Sequence, residues 1–124
     1  MKIIKDAKFE FFRGDTYTRD FSVSGWSLDV SKVYFTVKEK EENKIPVLQK
    51  TLNNGITLVA EENGKRTYNL LICCNDTEKM KANKDYYFDI EIHSPGANGD
   101  VIKQTIITGI LRLEASSTRA CNEC

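Results

Sequence analysis

Short runs of alternating apolar and polar residues, cut by Gly, Asn, Asp and Pro, fill this chain. Lys8 to Phe12 is an aromatic run, broken by Arg13-Gly14-Asp15. Tyr17, Phe21 and Val23 then alternate with polar residues, which is the period of a half-buried strand. Val33, Phe35 and Val37 alternate in the next run, and the charged stretch Glu39 to Lys44 reads as an exposed loop or hairpin tip ending at Ile45-Pro46. Val47 to Leu52 leads into Asn53-Asn54-Gly55, where Asn and Gly tolerate positive φ and signal a turn. Ile56, Leu58 and Ala60 alternate up to a second turn at Asn63-Gly64, and Tyr68, Leu70 and Ile72 return from it. A tight turn there makes these two strands antiparallel neighbours.

Asn75 to Ala82 carries cap residues and helix formers, and predicts one or two helical turns. Tyr86, Phe88, Ile90 and Ile92 then alternate with Tyr87, Asp89, Glu91 and His93, the cleanest period-2 segment in the chain. Pro95 to Asp100 is a Gly-bearing hairpin loop. Val101 to Glu114 is the last strand, with Gly109 expected as a bulge or bend. The parity of these runs predicts a core of Phe21, Val23, Val33, Phe35, Val37, Leu70, Ile72, Phe88, Ile90, Leu111 and Leu113. Seven or eight short strands with frequent turns predict an all-β fold, a sandwich or barrel, with one short helical connection.

Length and composition narrow the picture. The 124 residues make one domain, and 40% hydrophobic with 29% charged residues is the balance of a globular chain. Residues 1–115 read as the domain and 116–124 as a polar, cysteine-bearing tail. Eighteen basic and eighteen acidic residues give zero net charge, so the chain as a whole has no basic field for nucleic acid. No apolar run approaches the ~20 residues of a spanning helix, and no membrane insertion is expected. The segment Met1 to Asp6 lacks the apolar stretch of a signal peptide, so the expectation is a protein staying in the cytoplasm where it is made.

Candidate chemistry is sparse. Arg13-Gly14-Asp15 has the form of an integrin-type tripeptide, but turn chemistry alone favours Gly-Asp there. Four cysteines stand as Cys73-Cys74 and Cys121-x-x-Cys124. Successive strand side chains point to opposite faces, so the adjacent pair is poorly placed for a shared zinc, and no metal is expected. The missing signal argues against disulfides, leaving one buried thiol and three incidental ones. His93 lies on the polar side of its strand and reads as a surface histidine, with no nucleophile elbow to build around. The scattered acids read as solvated strand faces and turns, with no raised pKa expected. No phosphate loop is present, and neither catalysis nor a cofactor is expected.

The aromatics are the better lead. Phe9, Phe11 and Phe12 place rings on both faces of one strand, so one face needs cover. Trp26 reads as a core or sandwich-end anchor, or as an exposed interface anchor. With Tyr34 and Tyr87 these residues form the candidate interface.

Three local patterns carry a family resemblance. They are Phe12-Arg13-Gly14-Asp15-Thr16 before an alternating strand, Val33 to Lys38, and Asp85 to Ile92 followed by a Gly-containing turn, Thr108-Gly109 and Ser117-Thr118-Arg119. Over roughly residues 8 to 119 the chain resembles the immunoglobulin-like N-terminal domain of phage baseplate upper proteins and related small phage structural proteins. The resemblance implies an immunoglobulin-like antiparallel β-sandwich. It also implies a structural part of a phage or prophage virion, in the baseplate, tail or neck–head region, assembled in the host bacterial cytoplasm. Its partners would be other virion proteins and copies of itself, reached through strand edges and exposed aromatics. Two other readings stand beside it: a host-attachment or carbohydrate-binding β-sandwich module, and a phage-encoded inhibitor of a host protein.

Overall fold

Alternation becomes strand almost wherever it occurs. The computed structural model describes residues 3–115 except 41 and 43, and those residues hold eight strands. They are β1 (Ile4–Phe12), β2 (Tyr17–Ser24), β3 (Lys32–Lys38), β4 (Leu48–Leu52), β5 (Gly55–Glu62), β6 (Lys65–Ile72), β7 (Asp85–Pro95) and β8 (Val101–Glu114). The sheet order is β1-β8-β7-β3-β4-β5-β6-β2. The β1–β8 and β4–β5 pairs are parallel, and the others are antiparallel.

The fold is therefore all-β, but it differs from two clearly separate antiparallel sheets. One mixed sheet curls until its two ends nearly meet, giving an almost closed barrel. β1 and β2 are those ends, and side chains bridge the gap where no ladder forms. The Phe11 ring stacks on Tyr17 at 4.3 Å, Phe9 lies 5.6 Å from Tyr17, and the Arg19 guanidinium sits 4.7 Å over Phe9. On the far side the closure is thin. β4 and β5 pair only through Thr51–Gly55 and Leu52–Ile56, then part.

The interior is the expected one. All eleven core residues foreseen from parity are buried, joined by Phe9, Ile56, Tyr68, Tyr86, Ile92, Ile106 and Ile107 among others. Phe9, Phe35 and Phe88 form its aromatic centre, with Phe9 and Phe88 stacked at 4.3 Å.

The structure corrects several local expectations. The helical connection reduces to a three-residue 3-10 turn, Cys74–Asp76. The Asn53-Asn54-Gly55 turn does not make an antiparallel hairpin. Its positive-φ residues Asn53 and Gly55 bring β5 alongside β4 in the same direction. Gly109 is not itself the bulge. The irregularities fall at Ile106 in β8 and around Asp6 in β1, where φ is 60°. Gly109 instead lets β1 approach, since a Cβ there would collide with the Ala7 carbonyl oxygen.

The cysteines are also corrected. Cys73 and Cys74 are both disulfide-bonded and both buried, at 5% and 8% exposure. β6 ends at Ile72, so the two residues lie past the strand and the opposite-faces argument does not govern them. Cys121 and Cys124, the tail and Ser117-Thr118-Arg119 lie outside the described residues.

Candidate functional surfaces

The six aromatics proposed as an interface do not form one surface. Phe9 is 2% exposed and belongs to the core, because its side of β1 faces the barrel interior. Phe11 is half-buried against Tyr17. Of the N-terminal aromatics only Phe12 is open, at 53%. Trp26 packs on the core, and its indole N–H donates to the hydroxyl of fully buried Ser94 at 2.8 Å, so it is an anchor and not an exposed patch. Tyr34 and Tyr87 do share a face, the outer surface of β3 and β7, where Tyr34 stands opposite Glu91 and Tyr87 opposite Lys38.

Arg13-Gly14-Asp15 is committed to the fold. The Arg13 guanidinium donates to the carbonyls of Thr77 and Glu78, and the Gly14 N–H to the Thr77 hydroxyl. The Asp15 N–H closes the turn on Phe12 O at 3.1 Å. The tripeptide thus clamps the β1–β2 turn onto the segment after β6. Asp76 anchors that segment from the other side, accepting from the Cys73 N–H and pairing with Lys50 of β4 at 2.7 Å.

Two surfaces have the geometry for binding. The first is the free edge of β5. Among the described residues, β5 beyond Ile56 is hydrogen-bonded only to β6, and its residues from Thr57 to Glu62 are exposed on both faces. Leu58 is 41% and Val59 54% exposed, with Ala60 exposed beside them. The ladder to β6 shifts between Leu58 and Ala60, so the pattern Ile56, Leu58, Ala60 does not continue as an inward row, and only Ile56 is buried. Alternation alone predicts an ordinary half-buried strand here. The three consecutive apolar residues Leu58-Val59-Ala60 were the available signal that no single face accounts for them.

The second is a trough across the outer face of β1, β8, β7 and β3. Its main hollow measures about 690 Å³ and is walled by Tyr87, Lys38, Asp85 and Ile110. Thr36 and Asp89 carry it into a smaller hollow of about 220 Å³ lined by Tyr34, Gln49 and His93. Asp89 differs from the solvated acid expected. Burial, reinforced by neighbouring Glu91, pushes its carboxyl above the usual range, while Lys38 opposes the shift. β7 is a central strand with β3 and β8 on either side, so its polar face is half covered. His93 is no open surface histidine either. Its side chain is 12% exposed, pairs with Glu91 and lies under the Tyr34 ring, 4.9 Å between centroids.

Among the described residues no group of three or more His, Cys, Asp or Glu is placed to hold a metal ion, and no helix is long and apolar enough to cross a membrane. No known family model matches the chain, and no curated protein matches it in sequence.

Proposed function

We propose that this protein is a non-enzymatic structural component of a phage or prophage particle, acting by protein–protein assembly through the free edge of β5. The observation that carries the reading is that edge. A strand with one unpaired side offers a row of backbone donors and acceptors to another chain. Main-chain pairing supplies affinity in such contacts, and alternate side chains supply specificity. In β5 the apolar Leu58 and Val59 stand on the same edge. Soluble domains usually blunt such an edge, and among the described residues only Glu61 and Glu62 at its far end do so.

The resemblance to small phage structural proteins supplies the setting. The thin β4–β5 seam divides the sheet into five strands and three, which is how an immunoglobulin-like sandwich would be traced on this barrel. Disulfide bonds at Cys73 and Cys74 fit a part that functions on a particle outside the reducing cytoplasm. The baseplate, tail and neck–head regions are the candidate locations.

Light scattering at tens of micromolar tests the reading, comparing the wild-type chain with Leu58→Asp, alone and mixed with particle proteins. The wild type is expected to form a discrete oligomer or to co-assemble, and the variant to do neither. A wild-type chain that stays monomeric and joins no particle protein would favour a soluble inhibitor instead.

A further inference from the structure

We infer that the trough on the outer face of β3, β7 and β8 binds a neutral oligosaccharide, with Tyr87 and Tyr34 as its two stacking platforms. The two rings stand four residues apart in register, about 14 Å along the strands at ~3.4 Å per residue. Between them lie planar and hydroxyl-bearing groups: Thr36, Asp89 and Gln49. The main hollow has the volume of an ordinary ligand site. Tyrosine rings offer a flat π face and a polar tip at low entropic cost, and carboxylate, amide and hydroxyl groups can each bond a sugar hydroxyl.

The same surface disfavours other ligands. Every strand beneath it is paired on both sides except β1, so it offers side chains and almost no open backbone. An extended peptide, which binds by its backbone, is better served at β5. A ligand carrying its own hydroxyls suits a face made of side chains. Asp6, Asp85, Asp89 and Glu91 outnumber Lys8 and Lys38 along the trough, which repels phosphate, sulfate and uronate groups. Arg112 pairs with Asp85, which trims the acid excess and leaves a polycation a weak hold as the main ligand. This inference stands apart from the assembly proposal, because it uses a different face of the barrel.

The test is amide NMR of the full chain, titrated with neutral hexasaccharides of glucose, galactose, mannose and N-acetylglucosamine. Heparin and spermine serve as charged probes. At least one neutral hexasaccharide is expected to give saturable shifts at Tyr34, Thr36, Tyr87 and Asp89, with affinity on the order of 1 mM or tighter. Tyr87→Ala should weaken it about tenfold or more with an unchanged melting curve, as Tyr87 is an exposed side chain. Leu58→Asp should leave it intact. Shifts from none of the neutral sugars, shifts mapping elsewhere, or stronger effects of heparin or spermine at these residues would overturn the assignment.

Discussion

Phe88 shows how much rests on single residues here. It is 4% exposed and stacks on Phe9 at 4.3 Å, with the Phe35 ring at 5.4 Å completing the aromatic cluster. Phe88→Ala should therefore cost ~3–5 kcal/mol in chemical denaturation, the range for a buried phenylalanine. A loss below about 1 kcal/mol would mean that β7 presents its other face to the core. Asp89, its neighbour, makes the opposite kind of prediction. A raised folded pKa means that the folded chain holds this proton more tightly than the unfolded chain does. Stability from this group therefore falls as pH rises from the ordinary aspartate range through the raised value, and the penalty is fully present above it. Asp89→Asn should stabilise the protein at neutral pH, by less than about 1 kcal/mol because the group is partly solvated. The gain should vanish in acid below the ordinary aspartate range. Melting curves across pH check this, and a gain that grows toward acid would contradict it.

At the scale of elements, period-2 parity carried most of the information. Phe21, Val33, Phe35, Leu70, Ile90 and Leu113 are all buried as parity requires, because each lies in a regular ladder. Parity failed where the ladder breaks. In β5 Leu58 is exposed beside the shift at Val59, and after Ile72 the chain leaves β6 so that Cys73 and Cys74 are buried together. Neither the curling of the sheet nor the central place of β7 is a local property, so the half-buried Asp89 was invisible in the sequence. Gly109 gives a direct test of the element contacts. Its missing side chain leaves room for the Ala7 backbone, and the obstacle to a Cβ is backbone and not a flexible side chain. Gly109→Ala should destabilise by roughly 1–3 kcal/mol, the usual range for overpacking, and should raise hydrogen exchange along β1 before the rest of the barrel. Unchanged exchange in β1 would show that the β1–β8 pairing lies elsewhere. The cysteines give another. Digestion without reductant should recover Cys73 and Cys74 in disulfide-linked peptides, and reduction should lower the melting temperature. Alkylation of both as thiols in unreduced, unfolded protein would contradict the bonds.

For the whole molecule, two seams decide what the barrel offers. The β1–β2 seam is filled by Phe9, Phe11, Tyr17 and Arg19 and needs no partner. This removes the reason for placing an interface on the N-terminal aromatics. The β4–β5 seam holds two residue pairs, and β5 runs on from it unpaired on one side among the described residues. β5 thus joins an unpaired main-chain edge to the exposed apolar side chains Leu58 and Val59, and the proposed assembly uses that strand. The most direct measurement is incorporation into purified phage particles, comparing wild type with Leu58→Asp. Leu58 is 41% exposed, so the substitution should leave the fold and the melting curve essentially unchanged. The wild-type protein should be a stoichiometric component of the particles, and the variant should be lost from them. Absence of the wild type from particles, or equal incorporation of the variant, would contradict it.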